Sequence, residues 1–149
     1  MLDYSKILFV TDTDTSPGPL AAAILKHYLP LEQVEIDSRG LAVLFSEPMN
    51  PKTVAIAASK GLDITRSSRQ LAAEDFGKDV LVLVLDENKK QTVYDDYAEA
   101  VNVYTLTEFI NEAGSINNPD GGELTDYAKL YETLDETIIK LAQKLKKMN

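Results

Sequence analysis

The stretch from Ile7 to Leu20 constrains the fold of this chain more than any other part of its sequence. It opens with a continuous apolar run at 7–10, which is too short for a helical pattern and is typical of a parallel strand covered on both faces. A Pro-Gly-Pro sequence at 17–19 then breaks the chain, and the apolar residues after it recur at helical spacing. The stretch therefore predicts a strand, a turn-rich loop and a helix N-terminus, where free amides and the dipole favour anions.

The rest of the chain alternates apolar runs with amphipathic segments. We predict further strands at 34–37, 80–85 and 101–104, and helices at 51–60, 87–100, 107–113 and 124–145. Strands and helices in this order are joined by right-handed crossovers. The predicted fold is a single α/β domain, residues 1–149, with a doubly wound four-stranded parallel sheet and helices on both faces. Ligands of such sheets bind at the carboxyl ends of the strands.

The segment after the first strand resembles the signature of the low-molecular-weight protein tyrosine phosphatase family, an apolar strand followed by C-x5-R-S-P. Aligned without gaps, the family's cysteine falls on Thr11, its arginine on Pro17 and its serine on Gly18. The resemblance extends from residue 6 to about 146. It includes a turn after the second strand at 37–40, the third strand and its helix at 78–90, and the closing segments of the bacterial members at 103–110 and 118–145. It implies the family's fold and a protein tyrosine phosphatase ancestry.

The residues that this family uses for catalysis are missing. The family's nucleophile is a cysteine thiolate, and the chain contains no cysteine. A hydroxyl at Thr11 needs an adjacent base or a metal to become nucleophilic, and the only histidine, His27, is expected on the surface of the first helix. Pro17 cannot supply the guanidinium that grips phosphate, and Asn118 stands where the family has an aspartate general acid. The sequence predicts an inactive pseudophosphatase with no catalytic residues and no cofactor.

The remaining loop is the predicted ligand-binding segment. Its members are Thr11, Asp12, Thr13, Asp14, Thr15, Ser16, Pro17 and Gly18. We expect Asp12 and Asp14 to place two carboxylates where a phosphate would sit, so that they substitute for the lost ligand and reverse the electrostatic preference of the loop. Prolines also lack the amide donor that an anion needs. Thr15 or Ser16 is expected to cap the following helix.

A different chemistry is an alternative for the same loop. An apolar strand followed by residues 11–15 also resembles the D-x-D-x-T motif of haloacid-dehalogenase-type phosphatases. That resemblance would make Asp12 the nucleophile and Asp14 the acid, with magnesium between them. Asp95 and Asp96 could imitate the acidic motif of that family, but they lie in a predicted helix and the chain is short for that fold.

A basic segment later in the chain leaves another pair of alternatives open. The segment 66–69, Arg-Ser-Ser-Arg, is either an anion patch that compensates for the missing arginine or the solvated start of a helix. The second interpretation is the favoured one.

Composition limits the class of partner. The net charge is −9, which argues against nucleic acid and anionic membranes, because both bind clustered positive charge. The four lysines at 140–147 are expected to complement the dipole of the last helix. No apolar stretch approaches the roughly 20 residues of a membrane span, and the first residues lack the features of a signal peptide. We therefore expect a cytoplasmic protein whose partner is an unidentified protein or small molecule.

Overall fold

Four parallel strands form the centre of the fold in a computed structural model that describes residues 2–148. The strand order is β2-β1-β3-β4. The elements are β1 (Lys6–Thr11), α1 (Pro17–Tyr28), β2 (Glu35–Gly40), α2 (Pro51–Ser59), a short 3-10 helix (Ala73–Asp75), β3 (Val80–Val84), α3 (Glu87–Asp96), β4 (Val103–Thr105), α4 (Leu106–Phe109) and α5 (Leu124–Met148). The predicted α/β sheet is thereby confirmed.

The central strand β1 shows why a continuous apolar run was needed there. Its neighbours β2 and β3 pair with it in parallel on both sides, and helices cover both of its faces. Ile7 and Phe9 pack into a core shared with α1 and α5, whereas Leu8 and Val10 pack into a second core with Val93 of α3. All four strand side chains are fully buried, so each face of the sheet has its own hydrophobic layer.

Helix α5 covers one face of the sheet together with α1. Its three- and four-residue apolar spacing is the one predicted, and its buried residues are Tyr127, Leu130, Leu134, Thr137, Ile138, Leu141, Ala142 and Leu145. The polar side of the helix faces solvent. Among the helices of residues 2–148, none is long and apolar enough to cross a membrane.

Several predicted boundaries were wrong. Strand β2 continues to Gly40, so residues 37–40 lie in the strand and not in a turn after it. Helix α3 stops at Asp96 because Tyr97 is extended, and β4 starts only after Asn102, which has a positive φ of 56°. Helix α4 ends at Phe109 and does not reach 113.

The predicted helix start at 66–69 was also wrong. This segment is extended and runs beside the carboxyl end of β2, where the amide of Gly40 donates to the carbonyl of Arg69 and the amide of Leu71 donates to the carbonyl of Gly40. Backbone pairing to the sheet edge therefore replaces the helical hydrogen bonds that the sequence suggested.

The depth of burial predicts that truncating two leucines of α5 will change the free energy of unfolding by different amounts. Leu134 is fully buried, whereas Leu124 is 49% exposed at the start of the helix. We expect Leu134→Ala to lower the free energy of unfolding by about 2–5 kcal/mol, because it removes buried methyl groups and leaves a cavity. The control Leu124→Ala is expected to cost less than about 1 kcal/mol. Urea unfolding measures both, and equal losses would contradict this packing.

Candidate functional site

The loop after β1 lies at the carboxyl edge of the sheet, as expected. Thr11 is the last residue of β1 and Pro17 is the first residue of α1, so residues 12–16 form the connection. The residues that follow β3 and the segment 116–118 meet this loop around a small cavity of about 90 Å³. Its lining residues are Val10, Thr11, Asp12, Pro17, Leu85, Asp86, Lys89, Ile116, Asn117 and Asn118. Thr11, Pro17 and Asn118, which the resemblance places at the family's catalytic positions, therefore line one cavity.

Thr11 has an isolated hydroxyl. The residue is 8% exposed, and within residues 2–148 its Oγ1 has no hydrogen-bond partner. Gly18 lies directly against it, since a Cβ built on Gly18 would be 3.1 Å from Thr11 Oγ1. The single histidine, His27, is exposed near the end of α1. No side chain is therefore positioned to accept a proton from Thr11 in the described part of the chain.

Asp12 lies on the rim of the cavity and is partly neutralised. Its carboxylate is 3.2 Å from the ammonium of Lys89, and its side chain is 57% exposed. Asp86 lies beside the same lysine and caps α3, with its carboxylate accepting from the amide of Lys89 at 2.9 Å. The exposed ion pair between Asp12 and Lys89 contributes at most about 1 kcal/mol to the stability of the fold. The rim therefore carries both signs of charge.

Asp14 points away from the cavity, which corrects the expectation for this residue. Its side chain is fully buried and does not line the cavity. The carboxylate accepts from Ser38 Oγ at 2.6 Å, from the Arg66 guanidinium at 2.9 Å and from the amide of Arg69 at 2.9 Å. The backbone of Asp14 is left-handed, with φ 58°, a conformation that aspartate tolerates better than most residues. Asp14 therefore binds groups behind the loop and does not occupy the phosphate position.

The buried carboxylate of Asp14 belongs to a wider ion-pair network along β2. Arg66 also contacts the Asp37 carboxylate at 3.1 Å, and Arg39 contacts the Asp37 carboxylate at 2.8 Å. Burial alone would raise the pKa of Asp37, but the hydrogen bonds and charges of Arg39 and Arg66 outweigh it and hold that pKa below its ordinary value. The pKa of Arg39 is raised, since its pairing with Asp37 outweighs its own burial. The Asp37–Arg39 pair therefore stays ionised at neutral pH.

The anion-patch interpretation of the segment 66–69 fails for Arg66, although the Arg69 side chain is 57% exposed. Arg66 is neither an anion patch nor a solvated residue, because Asp14, Asp37 and Ser38 occupy its donors. Sequence reasoning missed Ser38 and Lys89 as partners of the loop. Opposite charges at 14 and 66 were visible in the sequence, but no local spacing linked them.

The other residues of the predicted ligand loop have structural roles. Thr13 and Thr15 bond to each other through their hydroxyls at 2.9 Å, and the hydroxyl of Ser16 bonds to Thr53 at 2.6 Å. Ser16 occupies the N-cap position of α1, as expected, but its side chain does not cap the helix. Of the eight predicted residues, only Thr11, Asp12 and Pro17 line the cavity.

The dehalogenase-type alternative is not supported by the geometry. It needs Asp12 and Asp14 to face one metal, but Asp14 is turned into the interior and its counter-charge is Arg66. Asp95 and Asp96 are exposed on α3. In the described portion, no three side chains of the metal-binding types converge.

Comparison with known proteins identifies the family of this chain. The family model described as low molecular weight phosphotyrosine protein phosphatase matches residues 6–149. The chain belongs to this family. It is 31% identical over 136 residues to the low molecular weight protein-tyrosine-phosphatase PtpB of Staphylococcus aureus, and the match covers 91% of this chain and 96% of that protein.

Two solved structures of the family show the same fold. The YwlE arginine phosphatase from Geobacillus stearothermophilus superposes with a TM-score of 0.89 at 28% identity, covering 96% of this chain and 94% of that one. A YwlE arginine phosphatase mutant, in which serine replaces the cysteine and is phosphorylated, gives a TM-score of 0.87 at 27% identity, covering 95% and 96%. The four-stranded parallel sheet is therefore the fold of the family.

The Asp14–Arg66 pair predicts unequal effects for two arginines three residues apart. Arg66→Met would leave the buried carboxylate of Asp14 without its cation, and we expect it to lower the free energy of unfolding by about 3–5 kcal/mol. Arg69→Met is the control, since the Arg69 side chain is 57% exposed and pairs with Asp37 only at 3.4 Å. Its expected cost is below about 1 kcal/mol.

Chemical denaturation of both variants measures the difference. In an Arg66→Met background, Asp14→Asn is expected to recover stability, because it removes the unpaired buried charge. Equal losses for the two arginine variants, or a further loss on adding Asp14→Asn, would show that the pair does not stabilise the loop.

Proposed function

We propose that this member of the family is a pseudophosphatase: it has lost phosphatase activity and acts by binding a protein or a small ligand. The isolated hydroxyl of Thr11 carries the proposal. A hydroxyl nucleophile needs a neighbouring base or a metal, and among residues 2–148 nothing accepts a hydrogen bond from Thr11 Oγ1.

Two further positions support the loss of activity. Pro17 lines the cavity where the family has an arginine, so no guanidinium faces a bound phosphoryl group from that position. Asn118, at the position of the family's general acid, lines the same cavity and cannot protonate a leaving group as a carboxylic acid does. The absence of a thiolate, a guanidinium and a carboxylic acid at these three positions supports the proposal.

We expect the purified protein not to hydrolyse an aryl phosphate, a phosphotyrosine peptide or a phosphoarginine protein, with or without magnesium. Loss of a nucleophile alone costs roughly a millionfold in turnover, judged by a serine protease. The matched variant is Thr11→Cys, Pro17→Arg, Asn118→Asp, which returns the three groups to the cavity. We expect it to gain measurable hydrolysis, since the surrounding frame is that of the family.

The activity proposal has two outcomes that would refute it. One is wild-type turnover that Thr11→Ala abolishes. The other is phosphorylation of Thr11 detected by mass spectrometry after incubation with an aryl phosphate, because a relative's active-site serine is phosphorylated in a cysteine-to-serine mutant. Circular dichroism of each variant checks that it folds.

The cavity also predicts weak anion binding. We expect no phosphate or sulfate binding by the wild type at millimolar concentration, because Pro17 supplies neither a guanidinium nor an amide and Pro19 lacks an amide as well. Asp12→Asn is expected to gain little, since Lys89 already pairs with that carboxylate. Pro17→Arg is expected to gain binding. Calorimetric titration separates the two, and strong phosphate binding by the wild type would refute the expectation.

A further inference from the structure

The cavity beside the loop contains a buried polar group without a partner. Thr11 lines the cavity and is 8% exposed, and among the described residues its Oγ1 takes part in no hydrogen bond. Gly18 packs against this hydroxyl but has no side chain to pair with it. Buried hydroxyls are costly when unpaired, and most of those in folded proteins have a partner. The cavity that Thr11 lines is therefore where a partner for the hydroxyl can enter.

The charges around the cavity favour a neutral ligand group. The carboxylates of Asp12 and Asp86 and the ammonium of Lys89 line it. An anion finds neither a guanidinium nor an amide at Pro17. A bare cation would lie beside Lys89 and the positive N-terminal ends of α1 and α3. The group that fits best is polar and uncharged.

The polar lining offers a donor inside the cavity and acceptors nearer to its mouth. The buried Thr11 hydroxyl can donate, whereas the Asp12 side chain is 57% exposed on the rim. Asp86 is half-buried, and one of its carboxylate oxygens caps α3. An ionised carboxylate has about four acceptor sites, so both aspartates can accept further hydrogen bonds. The cavity thus matches a ligand group with one inward acceptor and outward donors.

The size of the cavity also limits the ligand. Its volume of about 90 Å³ is smaller than the roughly 150 Å³ of an engineered cavity that binds benzene, so it suits a small planar group better than an aromatic ring. Val10, Leu85 and Ile116 supply apolar walls for the carbons next to such a group. A groove of about 650 Å³ between the segment 115–122 and the start of α5 shares residues 116–118 with the cavity. The groove has room for the chain that carries the group.

We propose that the cavity binds the primary carboxamide of a glutamine side chain in a partner protein. The carboxamide oxygen accepts the hydrogen bond that Thr11 Oγ1 donates, and the NH2 group donates to the carboxylates of Asp12 and Asp86. The methylenes of the glutamine contact the apolar walls, and the flanking peptide lies in the groove. This inference rests on the proposed binding function and names the group that is recognised.

Capped amino acids of similar shape test the chemistry of the ligand. The probes are the N-acetyl methylamides of glutamine, glutamate and methionine, and NMR titration of the isotope-labelled chain measures their affinities. Glutamate has the shape of glutamine but carries a charge and lacks the NH2 donors, and methionine has no polar head. We expect the glutamine derivative to bind at least about tenfold more tightly than either, because only it pairs with both the hydroxyl and the carboxylates.

A free primary amide tests the source of the carboxamide. Propionamide carries the same head but no peptide to occupy the groove, so we expect it to bind more weakly than the glutamine derivative. Equal affinity for the two would assign the cavity to free small amides and overturn the assignment to a partner protein.

Thr11→Val separates binding from stability. It keeps the shape of the side chain and removes the hydroxyl, so we expect the affinity for the glutamine derivative to fall by about tenfold or more while the urea midpoint of the free protein rises. Thr11→Ser keeps the hydroxyl and is expected to retain binding. The matched control is Thr137→Val, since Thr137 is also buried but already donates to the carbonyl of Thr133 at 2.7 Å. We expect this control neither to change the affinity nor to raise the midpoint.

Three results would overturn the carboxamide site. They are no binding of the glutamine derivative, which would leave the cavity to water, equal binding of the glutamate derivative, and an unchanged affinity in Thr11→Val. Phosphatase activity of the same preparation would refute the pseudophosphatase proposal instead. An inactive protein that does not bind the glutamine derivative refutes only the carboxamide site.

Discussion

The buried ion pair between Asp14 and Arg66 is the interaction on which the loop depends. The loop precedes the N-terminus of α1, whose free amides favour an anion. Among the described residues, the Asp14 carboxylate does not bond to those amides; it lies behind the loop, where Ser38, Arg66 and the amide of Arg69 hold it. These contacts fix the left-handed turn at Asp14 from within the protein.

This arrangement also determines where the guanidinium of Arg66 lies. The guanidinium of Arg66 is committed to Asp14, Asp37 and Ser38, all of which lie on the side of the loop opposite the cavity. Turning it toward the cavity would leave a fully buried carboxylate without a counter-charge, at a cost of several kcal/mol. The Asp14–Arg66 pair therefore holds this guanidinium away from the cavity.

The sequence predicted what depends on local pattern. The apolar run of β1, the amphipathic spacing of α5 and the loop between β1 and α1 each carry their signal within a few residues, and all three are present. The partners of Asp14 lie 24 and 52 residues away, and only folding brings them together. The predicted strand β2 ended too early for a related reason. Its last residues are polar, yet they alternate between buried and half-buried positions, where the ion-pair network provides their partners.

The charge around the cavity is more balanced than the sequence predicts. The loop carboxylates were expected to make the cavity negative, but Asp14 is neutralised by Arg66 and Asp12 is paired with Lys89. The weak anion binding that we expect of this cavity therefore rests on the guanidinium and amides that Pro17 and Pro19 do not supply, and not on charge repulsion.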